Sequence, residues 1–156
     1  MEKLSVGVIG VGHLGKLHTK MFNQISNCEL VGVFDSNPEQ AKLVAGEFGV
    51  KHFNSFDELL SNIKAVSIAA TTSAHHEVAK KCFEKNIHVF VEKPITATIE
   101  QGEELVKIAN QKKLKFQVGH IERFNPGLLS LETFISDPMF IQSDRLAQFN
   151  PRGTDV

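Results

Sequence analysis

Short apolar runs alternate with stretches of helical period along this chain. Leu4–Ile9 has the pattern of a buried strand, apolar apart from one Ser and one Gly. After Gly10–Gly15, the residues Leu14, Leu17, His18, Met21, Phe22 and Ile25 recur at spacings of three and four, which predicts a helix packed on that face. Cys28–Phe34 is the next strand and leads into Asp35. Asn37-Pro38 predicts an N-cap with proline at the first helical position, in a helix that reaches about Phe48 and closes at Gly49. Lys51–Phe53 is a short strand, and Ser55-Phe56-Asp57-Glu58 has the form of a capping box. Ala65–Ala70, Ile87–Val91 and Lys115–Val118 are further strands. Ala74–Lys85 is a helix between them, and a second capping box at Thr98-Ile99-Glu100-Gln101 opens another that runs to about Lys113.

Strand alternating with helix predicts an α/β fold: a doubly wound, Rossmann-type parallel sheet with helices on both faces. The pattern changes after Gly119. Pro126–Ile135 reads as one more helix, and Met139–Phe149 carries a strand pattern with no later strand to pair with. The expected organisation is therefore a nucleotide-binding domain over residues 1–120, then a junction and the beginning of a truncated C-terminal α+β domain over 121–156.

The chain has 156 residues, enough for one domain of ordinary size and a little more. Seventeen Lys and Arg against eighteen Asp and Glu leave no basic footprint for nucleic acid. No apolar run reaches the roughly 18 residues of a membrane span, and the N-terminus lacks the form of a signal peptide. The expected setting is the reducing cytoplasm. Cys28 and Cys82 are far apart and have no metal-ligand spacing, so neither a disulfide scaffold nor a metal site is expected.

Gly10-Val11-Gly12-His13-Leu14-Gly15 fits GxGxxG between a strand and a helix, the context in which that motif binds a dinucleotide. The first glycine permits the tight turn, the second lets backbone approach a pyrophosphate, and the third lets helix pack on strand. Free N–H groups at the helix start then face phosphate. Asp35 stands twenty residues beyond Gly15, where an acid accepts from the ribose hydroxyls of NAD. The plainer alternative is a glycine turn beside an Asp that caps a loop. A carboxylate at 35 repels a 2′-phosphate, and the adjoining Ser36 and Asn37 offer no cation to pair with one, so NAD is expected ahead of NADP.

Thr71-Thr72-Ser73-Ala74-His75-His76 follows the fourth strand and Glu92-Lys93-Pro94 the fifth, so both lie at the carboxyl edge where doubly wound folds take ligands. From position alone Lys93 reads two ways: as a donor or proton acceptor for a substrate hydroxyl or carbonyl, or as a solvated loop lysine. Glu92 is placed to accept from a ribose hydroxyl. His76 reads as a helix N-terminal surface residue, and Cys82 as packing.

Glu92-Lys93-Pro94 after a buried strand, taken with the glycine motif, resembles the glucose–fructose oxidoreductase, inositol dehydrogenase and rhizopine catabolism (Gfo/Idh/MocA) family. Its lead, Lys85-Asn86-Ile87-His88-Val89-Phe90-Val91, is similar to the family's, with Asn86 where many members carry glycine. Asn also tolerates the left-handed backbone of a helix end. The resemblance implies an NAD(P)-dependent oxidoreductase that moves a hydride between nicotinamide and a carbinol carbon of a sugar, polyol or nucleotide-sugar. It places Lys93 beside the nicotinamide and the reacting hydroxyl, and the Ala70–His75 loop, with Thr71, Thr72 and His75, along the dinucleotide. Ala70-Thr71 here replaces the family's usual Thr-Pro pair. The segments Val118–Pro126 and Pro151–Val156 resemble a subgroup proposed to oxidise the 3-hydroxyl of a UDP-linked N-acetylhexosamine; in that reading His120 and Arg123 face the substrate, with Arg123 on a phosphate. The family's second domain supplies further acid–base groups, so this chain alone is expected not to turn over, and the whole protein is expected to be a homo-oligomer.

Two rival readings use the same fold. A non-catalytic NAD-binding sensor has no need of Lys93 at the sheet edge. A semialdehyde-type dehydrogenase wants a reactive loop cysteine, and neither Cys28 nor Cys82 is placed for that.

Overall fold

The computed structural model describes residues 2–131, 134–135, 137–144 and 146. By internal contacts the chain divides after Gly119. The first unit holds six parallel strands: β1 (Leu4–Ile9), β2 (Cys28–Phe34), β3 (Lys51–His52), β4 (Ala65–Ile68), β5 (His88–Val91) and β6 (Phe116–Val118), in the order β3-β2-β1-β4-β5-β6. Five helices connect them: α1 (His13–Gln24), α2 (Pro38–Phe48), α3 (Phe56–Leu60), α4 (Thr72–Glu84) and α5 (Ile99–Lys112). The order reverses between β1 and β4. Right-handed crossovers therefore place α1 and α2 on one face and α3, α4 and α5 on the other.

Local chemistry fixes the helix ends as expected. The Asn37 side chain accepts from the N–H groups of Glu39 (3.1 Å) and Gln40 (3.4 Å), and Pro38 opens α2. Gly49 closes it at φ 66°. Ser55 and Thr98 cap α3 and α5. Asn86 adopts φ 60°, the left-handed turn that asparagine tolerates.

Two clusters form the core. The larger packs Leu59, Leu60, Ile63, Cys82, Phe83, Ile87 and Leu105 against Ile68, Val89 and Val91. The smaller packs Val8, Val11 and Val33 against Ala41, Val44 and Ala45 of α2. Cys82 is fully buried, and burial pushes its thiol up to about 12, so it packs and does not react.

Two expectations are corrected. Most of the apolar stripe of α1 does not face the core: Leu14, Leu17, Met21 and Ile25 are 42–49% exposed, while Phe22 packs against the smaller cluster and the helix buries Gly15 and Thr19. Gly15 must lie against the β1 turn, and that contact rotates the stripe outward. The strand pattern at Met139–Phe149 yields no strand among its described residues, because among them there is no neighbouring ladder to complete. Residues 145 and 147–149 of that pattern lie outside the described residues, as does the Pro151–Val156 motif.

The second unit contains a 3₁₀ turn (Ile121–Phe124) and α6 (Pro126–Leu131), shorter than the expected Pro126–Ile135. No helix among the described residues is long and apolar enough to cross a membrane.

Candidate functional site

Four neighbouring strands, β2-β1-β4-β5, end on one edge and bring together Asp35, the Gly10–Gly15 turn, Thr71 and Lys93. Three inter-strand spacings put the outer members about 14 Å apart. The reversal point between β1 and β4 lies inside this line, where a doubly wound sheet opens a crevice.

Gly10 has φ +78°, and a Cβ there would stand 2.6 Å from the backbone nitrogen of Ala70. Only glycine fits this turn against the end of β4. Gly15 is packed as closely, since a Cβ on it would overlap the Gly10 carbonyl oxygen. Gly12 differs: a Cβ there meets nothing within 4 Å. As N-cap of α1 it offers no side-chain acceptor, and the first turn of that helix carries no acid. The helix start thus presents donors beside an open backbone, which fits an anionic pyrophosphate. His13 and Leu14 are exposed beside it, whereas Val11 is fully buried and contributes only backbone.

Asp35 is locked to the turn. Its Oδ2 accepts from the Val11 N–H (2.7 Å) and its Oδ1 from the Asn37 N–H (2.8 Å). Gln40, which sequence reasoning passed over, donates from Nε2 to the Val11 carbonyl at 2.8 Å. Each Asp35 oxygen keeps a lone pair for a further donor. Ser36 is exposed at the loop tip.

Thr71 is the exposed N-cap of α4, its hydroxyl 3.3 Å from that of Ser73, while Thr72 is 6% exposed. His75 is buried behind the loop: its Nδ1 lies 2.9 Å from the Pro94 carbonyl and its Nε2 3.1 Å from that of Ala70. It ties the β4–α4 loop to the Lys93-Pro94 segment, whose peptide is cis. His76 pairs with Glu104 at 2.7 Å, and Lys80 with the same carboxylate at 2.8 Å.

Lys93 is exposed, and among the described residues its ammonium has no hydrogen-bond or ion-pair partner. Glu92 is 6% exposed and turned inward, its Oε1 3.1 Å from His18 Nε2 and its Oε2 accepting from the Lys93 N–H at 3.2 Å. The carboxylate expected to meet a ribose is therefore engaged by protein groups. His18 was read as a packing residue; nothing local to residue 18 signals this pairing. His120 and Arg123 are exposed in the second unit. Among the described residues there is no cluster able to hold a metal ion. A cavity of about 800 Å³ runs along α5 from Ile95 to Gln111 and includes no residue of the glycine turn.

Burial pulls the His18 imidazole below its usual range, with the Glu92 charge and hydrogen bond pulling the other way. The unfolded chain binds that proton near pH 6.5 and the folded chain only at lower pH. Stability from this group is therefore full above pH about 6.5 and declines as pH falls through the window below it. Glu100 and Glu104, held low by hydrogen bonds, act only below the ordinary carboxylate range. Urea denaturation midpoints should fall modestly as pH drops below about 6.5, and this slope should be smaller in His18→Gln.

The order of strands, the glycine turn at the reversal point and the acid at the end of β2 define a dinucleotide-binding domain of the doubly wound class. Residues 4–120 match the family described as "Oxidoreductase family, NAD-binding Rossmann fold", and the chain belongs to this Gfo/Idh/MocA family. It is 39% identical to the UDP-N-acetylglucosamine 3-dehydrogenase of Acidithiobacillus ferrooxidans over 100% of this chain and 50% of that protein. A crystal form of that enzyme superposes with a TM-score of 0.91, at 38% identity over 99% of this chain and 51% of the other. The chain is 30% identical to the glucose-6-phosphate 3-dehydrogenase of Bacillus subtilis over 76% of its length and 34% of that relative's. It spans about half of the first relative and about a third of the second. A structure of GenD2 in complex with NAD, at 22% identity and a TM-score of 0.82, shares the fold.

Proposed function

We propose that this chain is the nucleotide-binding half of an NAD-dependent dehydrogenase that moves a hydride between nicotinamide and a hydroxyl-bearing carbon of a sugar or nucleotide-sugar. The observation that carries this reading is Lys93: an exposed ammonium at the end of β5, without a partner among the described residues, two strands from the glycine turn on the same edge. NAD, when bound, supplies the hydride acceptor. Gly10, Gly12 and Gly15, with the backbone of Val11, His13 and Leu14, form the turn that receives its pyrophosphate. Asp35 and Ser36 meet a ribose at the end of β2, and Thr71 and Thr72 border the dinucleotide. His75 acts here by holding the Thr71 loop against Pro94. Lys93 hydrogen-bonds the reacting hydroxyl and takes or returns its proton.

The dinucleotide domain in this reading ends near residue 120, and 121–156 begin the part that meets substrate, with His120 and Arg123 toward it. The substrate class favoured by the 39% relative is a UDP-linked N-acetylhexosamine oxidised at its 3-hydroxyl, with Arg123 on a phosphate.

Calorimetric titration of this chain with NAD, and separately with NADP, tests the cofactor reading. NAD should bind at least tenfold more tightly, because the Asp35 carboxylate repels a 2′-phosphate and the adjoining loop offers no cation to it. Equal affinities would remove the assignment of Asp35.

A further inference from the structure

We propose that His18 is a positioning residue of the Lys93 site: it holds the Glu92 carboxylate, which holds the backbone of Lys93, so the helix carrying the glycine turn and the loop carrying the lysine keep one geometry. The value of this to catalysis rests on the reading above that Lys93 meets the reacting hydroxyl. The contact itself does not rest on it.

Val8, Ser67, Phe90 and Gln117 are in register across β1, β4, β5 and β6. His18 comes from the second turn of α1, on the face that also buries Gly15 and Thr19. It reaches Ser67 Oγ with Nδ1 at 2.8 Å and packs edgewise on Phe90, ring centroids 5.7 Å apart. Its Nε2 then meets Glu92 Oε1. The carboxylate has little room to turn, because a Cβ on Gly119 would lie 2.9 Å from Oε1. A carboxylate this buried needs donors. Among the described residues its donors are one imidazole nitrogen and one backbone N–H.

The protons can be assigned. The Glu92 carboxylate only accepts, so the Nε2 facing it is the donor, and in a neutral ring Nδ1 accepts from the Ser67 hydroxyl 2.8 Å away. That puts the ring hydrogen on Nε2, aimed at Glu92 Oε1, while the Lys93 N–H serves Oε2. Every donor has one acceptor with a neutral ring and an ionised carboxylate. The result is a hydrogen-bonded chain from β4 through α1 to the loop after β5. Removing the Nε2 donor frees one carboxylate oxygen, and the carboxylate then leaves the Lys93 N–H to seek water.

The test uses this chain without cofactor and reads amide hydrogen exchange at Lys93 by NMR. Glutamine places a donor near the Nε2 position, whereas asparagine reaches only as far as Nδ1. His18→Gln should keep Lys93 exchange within about twofold of the unaltered chain. His18→Asn should accelerate it about tenfold, with the amides of Val8 and Ile68 unchanged. Equal behaviour of the two variants, or unchanged Lys93 exchange in His18→Asn, would overturn the proposal and leave His18 as packing. Should either variant fail to fold, Glu92→Gln gives an independent reading. The His18 ring should carry its hydrogen on Nε2 in the unaltered chain, and its titration midpoint should drop in Glu92→Gln. An unmoved midpoint overturns the proposal equally. Failure of the chain to bind NAD, measured separately, would remove the dehydrogenase reading while the exchange result stands.

Discussion

Lys93→Ala, placed in a polypeptide of the relatives' full length, should lower turnover by about 10²–10⁴, the usual contribution of a positioned acid–base group. NAD affinity should stay within about threefold, because the glycine turn and Asp35 lie on other strands and do not touch Lys93 among the described contacts. Lys93→Arg should recover little. Guanidinium keeps the charge but does not release its proton near neutral pH, and its flat fork does not occupy the place of a compact ammonium. The informative comparison is kcat against KM: a lysine engaged only as the hydride moves lowers kcat and kcat/KM together. Retained turnover with lost NAD binding would assign Lys93 to the cofactor alone. Full activity in the arginine variant would mean that charge, not proton transfer, is what the site needs.

The second large effect comes from the glycine turn, where two substitutions of the same size should act on different properties. Gly15→Ala sets a Cβ on the Gly10 carbonyl oxygen, backbone against backbone, with no rotamer to relieve it. Either α1 swings away from β1 or the turn opens. The expected loss is about 3 kcal/mol or more in urea denaturation, with NAD binding lost as well. Gly12→Ala meets no protein atom within 4 Å, so the denaturation midpoint should hardly move. On the cofactor placement proposed above, the methyl group would stand in the path of the pyrophosphate, and NAD should bind at least tenfold more weakly through loss of close backbone approach. An unchanged NAD affinity in folded Gly12→Ala would place the cofactor elsewhere. A stable, NAD-binding Gly15→Ala would show that the turn can relax.

Much of this molecule is written locally. The alternation of short apolar runs with helical periods is a record of which backbone dihedrals and which burial each segment prefers, and between residues 4 and 118 it placed the strands and helices to within a few residues. Gly10, Gly12 and Gly15 announce a turn because backbone closeness there excludes a side chain, and that exclusion is a property of adjacent residues. Asp35 is visible for the same reason, as the polar residue at the end of an apolar strand. Asn37, Ser55 and Thr98 each cap the helix they immediately precede.

What the sequence did not disclose depends on residues far apart along the chain. Periodicity assigned the Leu14, Leu17 and Met21 stripe to the core, but the contact of Gly15 with the β1 turn sets the rotation of α1 and leaves that stripe outside. Glu92 had the position of a ribose acceptor, yet its carboxylate points inward to His18. His75 had the position of a cofactor contact, yet both its nitrogens face backbone carbonyls. The amino-acid sequence by itself determined the class of fold, the glycine turn and the identity of the acid and the lysine at the strand ends. Only the tertiary structure decided which of those side chains face outward and which are taken up by partners. The sheet order reverses between β1 and β4, and this brings residues 18, 67 and 92 together although no local pattern of polarity links them.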